Sequence, residues 1–264
     1  MITDKTKPHA VFLDIDGTLM SNGNVRALKK GSIPQKNISA IREAQKLGHK
    51  IIINTGRGYS CLPEAVFTDI KCDGFIVGLG SLIELGGKTV YNCPITSDII
   101  DDILDFAFAH SYPCRFQGKH SMLAFDPQSD LSPDWTMIGS KEDFYKSLGC
   151  DFVSKITIDR GLCGEYFEFI NRNLNLYQTG ESGEAASKGC NKALGMQIAL
   201  DFLGIPRERS IAMGDSINDV EVLLRAGTSV AMENADDKIK KMCDCVTSAD
   251  IEGGVGRAIE MLLL

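Results

Sequence analysis

The stretch VFLDIDGT, residues 11–18, decides how the rest of the chain is interpreted. Three apolar residues indicate a short buried strand, and two aspartates one residue apart close it. Carboxylates at such short range repel each other in a partly dry site. Asp14 and Asp16 therefore indicate either a solvated turn, which Asp-Gly sequences favour, or a site that supplies compensating positive charge.

Length and composition are those of an ordinary globular protein. The chain has 264 residues, 44% hydrophobic and 24% charged, with a formal net charge of −7. The acidic balance disfavours nucleic-acid binding, which usually needs a basic face. The nine cysteines form no CxxC pair, which disfavours zinc and favours free thiols in a reducing compartment. With no signal-like segment or membrane-length apolar run, we expect a cytoplasmic monomer or homodimer.

The two ends of the chain share one pattern, in which short apolar strands alternate with helices. Strands are predicted at 9–13, 49–54, 75–77, 210–213 and 229–232. This alternation predicts a parallel sheet with crossover helices, that is, a Rossmann-like doubly wound α/β core.

The middle of the chain has a different pattern and predicts an inserted α+β domain. A hairpin around Gly86-Gly87 comes first, and Gly180–Gly183 has the composition of a linker. Between them the pattern predicts two helices, at 97–110 and 141–148, and four strands, at 121–125, 154–158, 166–170 and 174–178. We therefore expect a core of residues 1–83 and 184–264 and an insertion of residues 84–183.

Polar residues follow the predicted core strands where each strand ends. Asp14, Thr55 and Asp215 occupy such positions, and parallel strands bring their carboxyl ends to one edge of the sheet. Asp16 and Asp219 would add two more carboxylates there. A cluster of carboxylate oxygens suits Mg²⁺, which often binds beside phosphate.

A bound phosphate would also account for the other polar groups near these strand ends. Thr55 offers a hydroxyl, Lys188 an ammonium, and the glycine-rich turns offer main-chain N–H groups.

Four short motifs occur in a fixed order and carry a family resemblance. They closely resemble the motifs of haloacid dehalogenase-superfamily phosphatases, and the insertion resembles the cap of the Cof-like sugar-phosphatase branch. The motifs are Asp14-Ile-Asp-Gly-Thr18, Thr55-Gly-Arg57, Ser187-Lys-Gly189 and Gly214-Asp-Ser-Ile-Asn-Asp219. The resemblance implies a Mg²⁺-dependent phosphatase for small phosphorylated metabolites, sugar phosphates above all, with the cap setting substrate specificity.

The resemblance also implies a role for each catalytic residue. Asp14 would be the nucleophile that forms an aspartyl-phosphate. Asp16 would protonate the leaving alcohol and then activate water. Thr55, Gly56 and Lys188 would hold the phosphoryl oxygens, with Lys188 also neutralising Asp14.

The metal site is implied in the same way. Asp14, Asp215 and the main-chain carbonyl of Asp16 would hold Mg²⁺. Asp219 would act mainly through metal-bound water or by orienting Lys188. Asn218 would support the loop or the phosphate.

Several alternatives stay open at this stage. Arg57 either faces the substrate or pairs with an acid. The loop between Asp16 and Ser32 is a candidate for a flap that opens and closes the site. A sugar phosphomutase would share the chemistry at Asp14, and a phosphometabolite-binding protein without turnover would share the fold.

Overall fold

The core of the fold is an eight-stranded sheet. The computed structural model describes residues 5–21, 32–127, 131 and 133–264. Within them the core strands occur in the sheet order β14-β13-β12-β1-β2-β3-β4-β5. Their ranges are β1 Ala10–Leu13, β2 Lys50–Asn54, β3 Gly74–Val77, β4 Leu82–Leu85, β5 Lys88–Asn92, β12 Ser210–Gly214, β13 Thr228–Ala231 and β14 Cys245–Val246. Strands β14 to β3 run parallel, and β4 and β5 add an antiparallel hairpin at one edge.

A second sheet of six strands forms the inserted domain, called the cap below. Its order is β10-β11-β9-β6-β7-β8. The strands are β6 Cys114–Gly118, β7 Met122–Phe125, β8 Thr136–Met137, β9 Val153–Ile158, β10 Leu174–Thr179 and β11 Ser182–Ser187. The α-helices of the described residues are α1 Gln35–Lys46, α2 Ala65–Thr68, α3 Ser97–His110, α4 Lys141–Leu148, α5 Gly164–Asn173, α6 Lys192–Leu203, α7 Val220–Arg225, α8 Asp237–Met242 and α9 Gly254–Leu262.

The central strand β1 shows why the core sheet is covered on both faces. Successive side chains of a strand point to opposite faces. Val11 and Leu13 pack in one apolar cluster with residues of α1 and α9, whereas Ala10 and Phe12 pack in another with residues of α6 and α7. All four are buried, so the predicted doubly wound α/β core is confirmed.

Sheet membership shifts the expected borders of the insertion. The hairpin β4–β5 belongs to the core sheet, so the cap begins after Asn92 rather than at residue 84. Strand β11 belongs to the cap sheet and extends to Ser187, beyond the expected border at 183. The expected border at residue 84 falls inside strand β4, which belongs to the core sheet. The expected border at residue 183 falls inside strand β11, which the sequence pattern does not predict.

Two local predictions inside the cap are wrong. The residues predicted as a strand at 166–170 lie in helix α5, where Tyr166 and Ile170 are buried four residues apart. That spacing places both side chains on one helical face. The glycine-rich segment Gly180–Gly183 is not a linker, because it turns between β10 and β11 of one antiparallel hairpin.

Some expectations fall outside the described part of the chain. Residues 22–31, which form most of the predicted flap, are not described. Across the described ranges, no helix is both long and apolar enough to cross a membrane.

Candidate active site

The site is built around Asp14, at the carboxyl end of β1. Its main-chain N–H donates to the carbonyl of Met213 at 3.2 Å, which continues the pairing of β1 with β12. The side chain is almost completely buried, and Oδ1 lies 3.0 Å from Nζ of Lys192. This lysine also donates to Oδ1 of Asp219 at 2.6 Å, so one fully buried ammonium joins two carboxylates.

The structure corrects the prediction that Lys188 neutralises Asp14. Lys188 is exposed on the turn after β11, and its Nζ donates to the main-chain carbonyl of Asn171 at 2.7 Å. Lys192 occupies the position beside Asp14 that was expected for Lys188, because helix α6 begins at Lys192. The Asn191 side chain accepts the N–H of Leu194 and so caps the helix. The first turn of α6 thereby directs Lys192 at the end of β1.

Asp219 is held mainly by the loop that follows β12. Its Oδ2 accepts the main-chain N–H groups of Asp215 at 3.2 Å and Ser216 at 3.1 Å, and also the Ser216 hydroxyl. With Oδ1 on Lys192, both carboxylate oxygens already have donors. Asp219 therefore holds the shape of the loop and contacts Lys192, whereas the sequence predicted that it would orient Lys188.

Three of the predicted metal-binding aspartates lie together. Ligand oxygens of Asp14, Asp215 and Asp219 are within 4.8 Å of one another. Burial raises the pKa of Asp14 well above its usual value; Lys192 lowers it, and Asp219 and Asp215 raise it further. Burial and the Asp219 carboxylate raise the pKa of Asp215 to about 6.

The raised pKa values of Asp14 and Asp215 bear on whether these residues can bind a cation. Burial and mutual repulsion oppose ionisation of Asp14 and Asp215, so additional positive charge beside them would relieve a cost already present. The donors are hard carboxylate oxygens, which suit Mg²⁺. The donor set therefore fits a divalent cation, with Asp14 and Asp215 the better candidates because the oxygens of Asp219 are occupied.

The turn after β1 brings Asp215 against the first motif. Gly17 adopts a φ of +78°, and a Cβ atom there would lie 2.3 Å from Oδ2 of Asp215. Only glycine fits such a close approach with a positive φ. The Thr18 hydroxyl donates to Oδ1 of Asp215 at 2.8 Å. The Gly-Thr part of the motif thus shapes the carboxylate cluster, and Thr18 was not among the predicted site residues.

Asp16 lies outside this group of three carboxylates and pairs with Arg57. Nε and Nη2 of Arg57 donate to the two Asp16 oxygens at 2.7 and 2.6 Å, in a bidentate arrangement. Arg57 also donates to the carbonyl of Cys61 at 3.1 Å. Of the two readings open for Arg57, the structure shows the ion pair with an acid. The Asp16 side chain does not join the carboxylate group of the predicted metal set.

The remaining predicted residues line a small cavity beside Asp14. Its volume is about 180 Å³, and its walls are Asp14, Asp16, Thr55, Gly56, Arg57, Glu184, Asp215, Ser216 and Asn218. Thr55 is buried, and its hydroxyl accepts the N–H of Arg57 at 3.2 Å. A Cβ atom on Gly56 would lie 2.8 Å from Oε2 of Glu184 and 3.2 Å from Nδ2 of Asn218. The absence of a side chain on Gly56 therefore keeps this end of the cavity open.

Sequence reasoning missed Lys192, Glu184 and Thr18, and it did not name Asp16 as the acid that pairs with Arg57. A signal existed for Lys192: Asn191 is a favoured helix cap directly before an apolar run, so counting from the start of α6 places Lys192 in its first turn. No signal existed for Glu184, because its arrival at the cavity depends on how the cap sheet lies over the core.

Comparison with known proteins identifies the family of the chain. A family model described as haloacid dehalogenase-like hydrolase matches residues 11–259. The chain belongs to this family. It is similar to the 5-amino-6-(5-phospho-D-ribitylamino)uracil phosphatase YcsE of Bacillus subtilis, with 27% identity over 96% of this chain and 95% of that protein. It is also similar to a phosphoglycolate phosphatase of Methanobrevibacter smithii, with 28% identity over 97% and 98% of the two chains.

Solved structures share the fold. A subclass IIB sugar phosphatase has a TM-score of 0.76 and 24% identity, covering 96% of this chain and 98% of that one. A phosphatase from Bacteroides thetaiotaomicron has a TM-score of 0.80 and 20% identity, covering 99% and 97%. The chain described here is thus an enzyme of the haloacid dehalogenase-like hydrolase family, and the two relatives reported above are phosphatases, as the four motifs predict.

Proposed function

We propose that this enzyme hydrolyses phosphate monoesters of small metabolites, sugar phosphates above all, with Mg²⁺ and through an aspartyl-phosphate on Asp14. The contact between Asp14 and Lys192 carries the proposal. A buried carboxylate beside an ammonium, at the end of a central strand and open to a small polar cavity, is the arrangement that a nucleophile for phosphoryl transfer needs.

In the first step, an Asp14 oxygen attacks phosphorus and the bond from phosphorus to the ester oxygen breaks. Asp16 gives its proton to that oxygen, so the alcohol leaves neutral. Both Asp16 oxygens accept from Arg57 in the structure, which fixes the position of this carboxyl group in the wall of the cavity. In the second step, Asp16 takes a proton from the water that attacks the aspartyl-phosphate, which releases phosphate and restores Asp14.

The other residues position charge around these steps. Lys192 offsets the charge of Asp14, while Thr55, Gly56 and Asn218 line the cavity where the phosphoryl oxygens would bind. Asp14, Asp215 and the Asp16 carbonyl would hold Mg²⁺, with Asp219 supporting the loop. When bound, the cation supplies positive charge that offsets the carboxylates and the phosphate.

The size of the cavity supports small substrates. About 180 Å³ holds a phosphoryl group and a few further atoms, so a folded phosphoprotein would not reach Asp14 without displacing the cap. The named relatives act on a ribityl phosphate compound and on phosphoglycolate, which are both small.

Release of inorganic phosphate tests the proposal. We expect p-nitrophenyl phosphate and members of a sugar-phosphate panel to be hydrolysed with Mg²⁺ and not with an excess of chelator. We expect D14N to be folded by circular dichroism and inactive. Wild-type-like turnover by D14N would contradict the nucleophile assignment. Isomerised sugar phosphate without free phosphate would instead indicate a mutase.

A further inference from the structure

Glu184 brings the cap into the reaction cavity. Among the described residues that line the cavity, Glu184 alone comes from the cap sheet, on strand β11. About a third of its side chain is exposed, and its Oε2 atom is close to Gly56 and to the side chain of Asn218. Glu184 is therefore placed to meet the part of a substrate that extends from the phosphate towards the cap.

Lys155 on β9 holds Glu184 in this position. Strands β9 and β11 are antiparallel neighbours, with Thr157 opposite Glu184. The Lys155 side chain is only 3% exposed, and its ammonium bonds Oε1 of Glu184. Burial alone would raise the pKa of Glu184, but Lys155 and, to a smaller extent, Lys192 together lower it, so the carboxylate is charged at neutral pH.

The two oxygens of Glu184 are unequally satisfied. Oε1 has the buried ammonium, whereas Oε2 accepts from Nδ2 of Asn218 at 3.4 Å, which is a long hydrogen bond. A carboxylate oxygen has acceptor capacity for more than one donor. Oε2 thus offers an acceptor to a ligand in the cavity.

The cations near Glu184 are already paired with carboxylates, so they would stabilise a second anionic group of the substrate only weakly. Lys155 is buried and engaged with Glu184, and Arg57 is engaged with both oxygens of Asp16. Lys192, the third cation near Glu184, is engaged with the carboxylates of Asp14 and Asp219. A carboxylate carried by the substrate close to its phosphate would meet Glu184 as a like charge, whereas a hydroxyl in the same place would donate to Oε2.

We propose that Glu184 is a specificity-determining residue that selects phosphate esters with a hydroxyl near the ester oxygen and rejects those with a carboxylate there. The inference rests on the proposed function and deepens it, because it places the favoured substrates among polyol and sugar phosphates rather than phosphorylated hydroxy acids. Lys155 is the residue that positions Glu184 for this selection.

Two compounds with the same carbon skeleton test the selection. Phosphoglycolate carries a carboxylate where 2-hydroxyethyl phosphate carries a hydroxymethyl group. Each is measured as a competitive inhibitor of p-nitrophenyl phosphate hydrolysis, so the test does not require either to be turned over. For the wild type we expect phosphoglycolate to inhibit roughly tenfold more weakly, because a like charge opposes it at short range.

The variant E184Q keeps the shape of the side chain and removes its charge. We expect the ratio of the two inhibition constants to move towards one in E184Q. Glu181 lies on the exposed turn of the same hairpin, so E181Q loses an equal charge as a matched control and should keep the wild-type ratio. Since E184Q leaves Lys155 buried without its carboxylate, the K155M/E184Q double variant, which removes both charges, serves if the single variant fails to fold.

The outcomes separate this inference from the proposed function. No hydrolysis of p-nitrophenyl phosphate by the wild type would overturn the proposed function and this inference with it. If the wild type hydrolyses p-nitrophenyl phosphate, three results would overturn the role of Glu184 alone. These are equal inhibition by the two compounds, stronger inhibition by phosphoglycolate, and no inhibition by either. The role of Glu184 would also be overturned if the ratio of the two inhibition constants were the same in the wild type, E184Q and the double variant.

Discussion

Replacing Lys192 by methionine tests the charge balance at the centre of the site. The ammonium lies 3.0 Å from an oxygen of Asp14 and 2.6 Å from one of Asp219, and the side chain is 0% exposed. Removing one partner of a buried ion pair costs about 3–5 kcal/mol. Because the pKa of Asp14 is already raised, this carboxyl can take up a proton in the variant, which favours the lower end of that range.

A loss of about 3 kcal/mol lowers Tm by roughly 6–12 °C in a domain of this size. We also expect kcat to fall about 10²–10³-fold, the effect of losing one charged group that stabilises a transition state. The assay is phosphate release well below the Tm of K192M, with circular dichroism to show that the variant is folded. K192R keeps the charge and should lose less stability than K192M.

Lys188 provides the matched control for this experiment. It is exposed and bonds a main-chain carbonyl, so K188M should keep kcat within about twofold and stability within about 0.5 kcal/mol. Wild-type kcat in folded K192M, or inactivity of K188M, would refute the assignment of Lys192 to the site.

Three further predictions concern the residues around the lysine. Asp215 has a pKa of about 6 in the folded chain against an ordinary 3.8, so the folded state binds the proton more strongly. Chelator-treated protein should therefore lose stability as the pH rises from about 4 to above 6, and D215N should flatten this loss in thermal melts; an identical pH slope in D215N would contradict the raised pKa. R57K cannot reproduce the bidentate contact with Asp16, so we expect kcat to fall roughly tenfold while the Tm stays close to the wild type, and an unchanged kcat would show that the pair is dispensable. G17A introduces a Cβ atom 2.3 Å from Asp215 at a positive φ, so we expect a loss of at least about 1 kcal/mol and weaker Mg²⁺ stabilisation in melts; equal stabilisation by Mg²⁺ in G17A and wild type would contradict the role of this turn.

The core was largely predictable from the sequence for a physical reason. Parallel strands buried on both faces are continuous apolar runs, and the polar residues that end them stand out. Asp14, Thr55 and Asp215 were therefore found by their positions alone, and the structure places them around one cavity. Helices such as α3 were also predictable, because their apolar spacing is regular.

Errors arose where neighbouring signals compete or where contacts are distant in sequence. Lys188 and Lys192 flank the same turn, and only the helix cap at Asn191 tells which one faces Asp14. Tyr166–Ile170 is rich in aromatic residues that favour strands, yet packing of one face makes it a helix. Glu184 reaches the cavity through the pairing of cap strands, which no local pattern specifies.

Trapping the covalent intermediate tests the central claim most directly. Acyl phosphates are reduced by borohydride, which converts an aspartyl-phosphate to homoserine. D16N, which lacks the group that activates water, is incubated with p-nitrophenyl phosphate and Mg²⁺, quenched, reduced and digested for mass spectrometry. The account predicts homoserine at position 14, and none when substrate is omitted. Unmodified Asp14, or homoserine at Asp215 instead, during confirmed turnover by the wild type would contradict it.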